Sequence, residues 1–268
     1  MNLSGARVVV TGASRGIGAR LVAQLAERGA RVALVARSRE AIAGLAGELG
    51  GEAYPADLAD PSTIEPLVRT IETDGPINVL VNNAGVDLTG AFLDLEPQRI
   101  RELIAVNLVA PMLLCRAVIP TMRLRGSGHI MNVSSLAGTN ALPGLAPYST
   151  SKAGLSHFTA ALRAECKGTG ITTTLAEIGP VESSMMESLH SHPATERALA
   201  RLRLLQLAVE LDMDDVVSAL VSGIEHERRH VRLPKRSALF PILTETPRRM
   251  TELLLTGVRA QDDSEVAR

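Results

Sequence analysis

Tyr148 and Lys152 stand four residues apart in Pro147-Tyr148-Ser149-Thr150-Ser151-Lys152-Ala153, a segment whose apolar positions continue through Leu155, Phe158 and Leu162. On a helix that spacing places a phenol and an ammonium on one face. A nearby ammonium together with an adjacent cofactor charge favours the phenolate, so a phenol of ordinary pKa about 10 is expected to move towards neutrality, where it serves as general acid or base. A solvated surface pair has the same spacing, so the two residues carry chemistry only in company. Ser134 and Ser135 end the run His129-Ile130-Met131-Asn132-Val133, and Asn107 interrupts an apolar helical face. A buried amide must find partners, so bracing of nearby backbone is open to Asn107 as well.

The elements that position such a set begin with Arg7 to Gly18. Val8, Val9 and Val10 form a β-branched run without polar alternation, the pattern of a strand buried on both faces of a parallel sheet. Gly12, Gly16 and Gly18 let the backbone turn sharply through Ala13, Ser14, Arg15 and Ile17, and Ile17, Leu21, Val22 and Leu25 continue at helical spacing. A helix N-terminus behind a glycine turn offers free N–H groups and a positive dipole end to a pyrophosphate, whereas the same turn alone is also compatible with no ligand. The second strand, Arg31 to Ala36, leads to Arg37 and a capping Ser38. An arginine there accommodates a 2′-phosphate where a carboxylate would hold a ribose hydroxyl. With Arg15 close by in the turn, NADP(H) is favoured as cofactor over NAD(H), which stays the second choice; two solvated surface arginines are the alternative.

A short strand at Glu52 to Pro55 delivers Asp57 and Leu58, where a carboxylate is placed to accept from an adenine amino group. Asp60-Pro61 then opens a helix. Val79-Leu80-Val81 ends in Asn82-Asn83-Ala84-Gly85, whose amides either satisfy a turn or organise backbone around a cofactor. Pro97 to Arg125 keeps helical spacing with a break expected near Pro111.

Together these motifs resemble the classical short-chain dehydrogenase/reductase family. Thr11-Gly12-x-x-x-Gly16-x-Gly18 is similar to its cofactor turn, Asn82-Asn83-Ala84-Gly85 to its central motif, and Ser135, Tyr148, Lys152 and Asn107 to its catalytic set, in order and spacing, over about residues 5 to 233. The resemblance implies an α/β fold, a Rossmann-like doubly wound parallel sheet of about seven strands flanked by helices. It also implies hydride transfer between a nicotinamide and a carbonyl or secondary alcohol. Tyr148 would be the acid/base; Ser135 would hold the substrate oxygen; Lys152 would lower the Tyr148 pKa and bind the nicotinamide ribose; Asn107 would position a water beside Lys152. Ser135 is preferred to Ser134 because its thirteen-residue spacing to Tyr148 fits the family. Gly12, Ser14, Arg15, Gly16, Ile17, Gly18, Arg37, Asp57, Leu58, Asn83, Ala84 and Gly85 are expected around the cofactor with Tyr148 and Lys152. After the sixth strand, Thr172 to Ile178, Ile178-Gly179-Pro180-Val181 replaces the family's usual Pro-Gly; Gly179 and Val181 still match, and Ser183 stands where a nicotinamide-contacting threonine is common. Met185, Met186, Leu189, Leu199, Leu202, Leu204 and Leu205 fall in the segment that covers the substrate in this family and suggest an apolar ligand; an ordinary amphipathic helix is the alternative.

Length and composition narrow the rest. At 268 residues with no Pro/Gly/Ser-rich linker, one α/β domain is expected over 1–233, followed by a C-terminal extension at 234–268, helical and then disordered. A formal charge of −1 and 2% aromatics give no footprint for nucleic acid. Cys115 and Cys166 lie in apolar helical patterns and read as buried free thiols. No signal-peptide core and no 18-residue apolar run is read, so a cytoplasmic protein is expected, as a homodimer or homotetramer. His226-Glu227-Arg228-Arg229-His230 matches a zinc-protease pattern, but His230-Val231-Arg232-Leu233 reads as a strand, so the histidines are expected to straddle a helix end and no metal is expected. Arg228 to Arg249 holds seven Lys/Arg against one acidic residue, with an apolar stripe at Met250, Leu253, Leu254 and Val258 behind Thr246-Pro247. Packing on the domain, a second subunit or the active site is favoured there over a peripheral membrane contact. A non-catalytic nucleotide-binding regulator is the rival function.

Overall fold

Buried β-branched runs produce a sheet that is parallel throughout, with strands β1 (Arg7–Thr11), β2 (Arg31–Ala36), β3 (Glu52–Pro55), β4 (Val79–Asn82), β5 (Gly128–Ser135), β6 (Ile171–Ile178) and β7 (His230–Leu233). Their order is β3-β2-β1-β4-β5-β6-β7, a doubly wound arrangement that reverses direction between β1 and β4. The computed structural model describes residues 1–140, 142–181, 195–196, 200–201, 203 and 209–235.

The pleat of β1 sends Val8 and Val10 to one core and Val9 to the other. Helices α1 (Gly16–Glu27), α2 (Arg39–Leu49) and α7 (Met213–Glu225) cover the first face through Leu21, Val22, Leu25, Ile42, Val217 and Leu220. Helices α3 (Ile64–Thr73), α5 (Ala110–Arg125) and α6 (Ala146–Glu165) cover the second through Ile64, Val68, Leu114, Val118 and Leu162. Helix α4 (Pro97–Ile104) runs into α5 through a π-helical stretch, Ala105–Val109. The break expected near Pro111 is therefore a local widening upstream of it. Pro111 has no N–H to donate to the carbonyl of Asn107 four residues earlier, so the ordinary helical bond cannot form there.

By length and composition, Pro97–Arg125 does match a membrane span, contrary to the sequence expectation. In this fold its stripe Leu103, Val106, Ala110, Leu114, Val118 and Met122 is buried at helical spacing, as in a core helix. At the edge opposite the carboxyl ends, Arg7 is buried, paired with Glu52 and donating to the Tyr54 hydroxyl at 2.7 Å and the Gly75 carbonyl at 3.0 Å. Asp60 caps the helix start as expected, accepting from the Ser62 amide at 2.9 Å, though the first turn, Pro61–Thr63, is 3₁₀. Cys115 and Cys166 are buried and free. Of the extension, Pro234 and Lys235 alone are described.

Candidate active site

The carboxyl ends of β1 and β4 are stitched together before any ligand enters. Asn83 Nδ2 donates to the Thr11 carbonyl at 3.0 Å, and the amides of Asn83 and Ala84 both donate to Thr11 Oγ1 at 3.0 Å. The glycine turn fits under this lattice because it lacks side chains: a Cβ on Gly18 would lie 2.1 Å from the Gly12 carbonyl oxygen, and one on Gly12 would lie 2.8 Å from Ala84 Cα. Gly16, at φ +57°, has nothing within 4 Å of its Cβ position, so this side of the turn is open. Helix α1 starts there with no side-chain cap and no acidic residue in its first turn, leaving the positive end for an anion. Arg15 is its exposed N-cap, Ser14 and Ile17 are half-buried, and Gly18 is buried. A dinucleotide pyrophosphate fits this cradle.

Farther along the edge, Arg37 is exposed and reaches Glu102 of α4 at 3.8 Å. Asp57 is exposed and accepts from the Ala59 amide at 3.0 Å, so its carboxylate shapes its own turn while facing solvent; Leu58 beside it is buried.

Beyond β5 the chemical groups converge. Tyr148 is buried near the start of α6 with the Ser135 hydroxyl near enough to act on its phenol, and Ser135 Oγ itself accepts from the Ala137 amide at 3.1 Å. Lys152, one turn later and buried, places Nζ 5.9 Å from the Tyr148 ring centroid and donates to the Val133 carbonyl at 3.1 Å. Asn107 is fully buried in the π stretch. Its Oδ1 accepts from the Val86 amide at 2.8 Å, while Nδ2 donates to the Val86 carbonyl at 2.9 Å and Ser151 Oγ at 3.2 Å. A Cβ on Gly85 would sit 3.5 Å from both Asn107 Oδ1 and Lys152 Nζ, so Gly85 lies beside both. Ser134 points elsewhere, donating to the Lys152 carbonyl at 2.9 Å with Ser156 Oγ also at 2.9 Å. It braces α6, and Ser135 is the serine that meets the phenol.

The chain's own groups do not by themselves lower the phenol's pKa. Burial pushes the Tyr148 phenol up to about 12, against the lowering contribution of the Ser135 hydrogen bond, with Asp87 raising it further. Burial also pulls the Lys152 ammonium down to about 8. Within the chain's own groups desolvation outweighs attraction, so the phenol is held as an acid and is not brought towards neutrality.

The departure after β6 keeps its turn. The Gly179 amide donates to the Leu233 carbonyl at 2.8 Å, a Cβ at Gly179 would meet Pro234 Cδ at 3.0 Å, and Val181 is buried and bridges to Leu211. Ser183 and the apolar positions Met185, Met186, Leu189, Leu199, Leu202, Leu204 and Leu205 lie outside the described residues. His226 follows the end of α7 and His230 opens β7, so the zinc-protease pattern does not share one helix face; among the described residues no cluster of metal ligands occurs.

Some of the site had no signature. Val86, Leu88, Ile104, Ala137 and Leu142 pack with buried Leu103, Leu145 and Tyr148 into one apolar cluster that includes the Tyr148 side chain. Most of these stand in non-periodic connections, where apolar residues carry no pattern; only the clamping of Val86 by an interior asparagine had a sequence hint. Asn132 was read as strand, yet it joins Asn82 (2.8 Å) to Thr159 (2.8 Å) beneath the site.

Residues 6–194 match the short chain dehydrogenase family. The chain belongs to the short-chain dehydrogenase/reductase family of oxidoreductases. It is 38% identical over 190 residues to the ketoacyl reductase HetN of Nostoc, covering 69% of this chain and 66% of that one. It is 33% identical over 192 residues to the 3-oxoacyl-[acyl-carrier-protein] reductase FabG of Escherichia coli, covering 70% and 79%. A short-chain dehydrogenase from Sphingobium yanoikuyae in complex with NADPH superimposes with TM-score 0.79 at 26% identity, covering 97% of this chain and 99% of that one.

Proposed function

We propose that this protein transfers a hydride between NADP(H) and a carbonyl or secondary alcohol carried on an apolar substrate. The cluster of half-buried Ser135 with buried Tyr148 and Lys152, on the same sheet edge as the open glycine turn, carries this reading. A pure nucleotide-binding regulator has no use for an acid held against a serine hydroxyl at that place. NADP(H) is supported by Arg15 and Arg37 and by the relative solved with NADPH. The apolar cluster of Leu88, Leu142 and Leu145 with Tyr148 supports an apolar substrate.

The nicotinamide, when bound, supplies or accepts the hydride. Tyr148 Oη gives its proton to the carbonyl oxygen during reduction, and burial keeps that proton in place at neutral pH. Ser135 Oγ hydrogen-bonds the same oxygen and fixes it against Oη. Lys152 supplies positive charge behind the ring as the proton leaves and offers Nζ to the ribose, while Asn107 holds the β4–α4 connection around Lys152. Oxidation of an alcohol runs the same transfer backwards, with Tyr148 accepting the proton. A homo-oligomeric, cytoplasmic enzyme is part of the same proposal, carried over from the sequence expectations.

Oxidation of NADPH and of NADH should be followed across aliphatic ketones, 3-oxoacyl thioesters and polar ketoses. Turnover of apolar ketones or thioesters, with about tenfold or greater preference for NADPH from its charge-assisted bonds, is expected. Equal use of NADH would remove the cofactor assignment, and a preference for polar ketoses would remove the substrate class.

A further inference from the structure

Arg37 and Glu102 belong to elements that β1 separates in the sheet: Arg37 leaves the end of β2, and Glu102 lies in α4 beyond β4. Their 3.8 Å ion pair reaches across the adenosine end of the crevice at the topological switch point. Glu102 also pairs with Arg99 at 3.7 Å, so one carboxylate engages two cations. Arg15, the other candidate cation, is exposed and has no carboxylate partner among the described residues. Of the two arginines facing the proposed 2′-phosphate, one is therefore partly neutralised by the chain itself.

We infer that Glu102 is a specificity-determining residue that competes with the cofactor's 2′-phosphate for Arg37 and thereby holds the NADP(H)-over-NAD(H) preference below what the two arginines would give. This rests on the NADP(H) reading above. Three effects of the carboxylate act in one direction. It occupies the Arg37 guanidinium, it repels a dianionic phosphate placed there, and it neutralises Arg99 nearby. Arg37 is 64% and Glu102 35% exposed, so the pair is solvent-screened, its strength is modest and salt should erase it.

The test is calorimetric titration of the full chain with adenosine 2′,5′-bisphosphate and with 5′-AMP, probes that differ only by the 2′-phosphate. Glu102→Gln should tighten the bisphosphate about two- to fivefold at low ionic strength, leave 5′-AMP unchanged, and lose its advantage near 1 M salt. In an Arg37→Gln background the gain should shrink, because the part that acts through that guanidinium is gone and only direct repulsion of the phosphate and the freeing of Arg99 remain. If Arg37→Gln weakens the bisphosphate but Glu102→Gln does not strengthen it, or strengthens it equally without Arg37, the role of Glu102 is refuted while the cofactor reading stands. If the wild type binds both probes alike and Arg37→Gln changes neither, the NADP(H) reading itself has failed.

Discussion

Asn107 holds Val86 at two points, accepting from its amide at 2.8 Å and donating to its carbonyl at 2.9 Å. The clamp ties the π stretch between α4 and α5 to the connection leaving β4, and a third bond reaches Ser151 on α6. Three elements around Lys152 thus meet at one buried amide. Asn107→Ala leaves the Val86 amide and carbonyl without these partners, so a loss of about 1–3 kcal/mol is expected in urea denaturation. Hydrogen exchange at residues 84–88 should accelerate at the same time. Unchanged exchange there would mean that Asn107 does not brace the connection.

Two glycine positions of the turn, Gly18 and Gly16, should separate cleanly. Gly18→Ala drives a methyl to 2.1 Å from the Gly12 carbonyl, backbone that cannot yield without opening the turn, so both fold stability and NADPH affinity should fall. Gly16→Ala meets no atom within 4 Å and has the cost of its positive φ, about 1 kcal/mol. It should fold and lose affinity mainly through its methyl on the open side. Fluorescence titration with NADPH beside thermal melts reads both, and a Gly18→Ala protein with normal affinity would contradict the cradle.

His129 makes the fold acid-sensitive. Its ring is buried between Thr172 Oγ1 at 2.8 Å and Thr174 Oγ1 at 3.2 Å, and burial lowers its pKa to about 4, with Glu227 opposing and the Met1 ammonium assisting more weakly. The unfolded chain binds the proton near pH 6.5 and the folded chain only near 4. Stability is therefore complete above 6.5 and declines as pH falls towards 4, by up to about 3 kcal/mol from this group. Chemical denaturation at pH 7.0 and 4.5 should show the decline, and His129→Gln should flatten it.

Lys152 should cost stability for the sake of its position. Folded and unfolded chains both carry its proton below pH 8; between about 8 and 10.5 the folded chain alone loses it, so the penalty of burying the charge is full at neutral pH and fades as pH rises through that window. Lys152→Met removes the penalty, worth about 3 kcal/mol, and forfeits about 1 for the bond to the Val133 carbonyl. The variant should be inactive and at least as stable as wild type at pH 7, with the advantage shrinking at pH 10. A strongly destabilised Lys152→Met would show that the ammonium supports the fold.

Much of this architecture could be read before the structure. Val8-Val9-Val10 and Val79-Leu80-Val81 announce central strands because parallel strands are buried on both faces. The four-residue step from Tyr148 to Lys152 survives any error in helix boundaries. What escaped depends on contacts far apart in sequence. The Asn107–Val86 clamp, the Arg37–Glu102 pair and the apolar cluster that includes Tyr148 each join a connection to a distant helix, and connections carry no periodicity. The contribution of burial to the Tyr148 pKa is hidden for a related reason: spacing locates the ammonium, but only packing says how completely the phenol leaves water.

Tyr148→Phe tests the central claim most directly, because it deletes one oxygen and almost no volume at a buried position. Pre-steady-state reduction of the best ketone substrate should be measured beside NADPH titration and thermal melts. Reduction slowed by a factor of about 10² or more, with NADPH affinity and melting temperature nearly unchanged, is the predicted result. Full reduction by a folded Tyr148→Phe protein would contradict the assignment of the proton to Tyr148 and, with it, the mechanism.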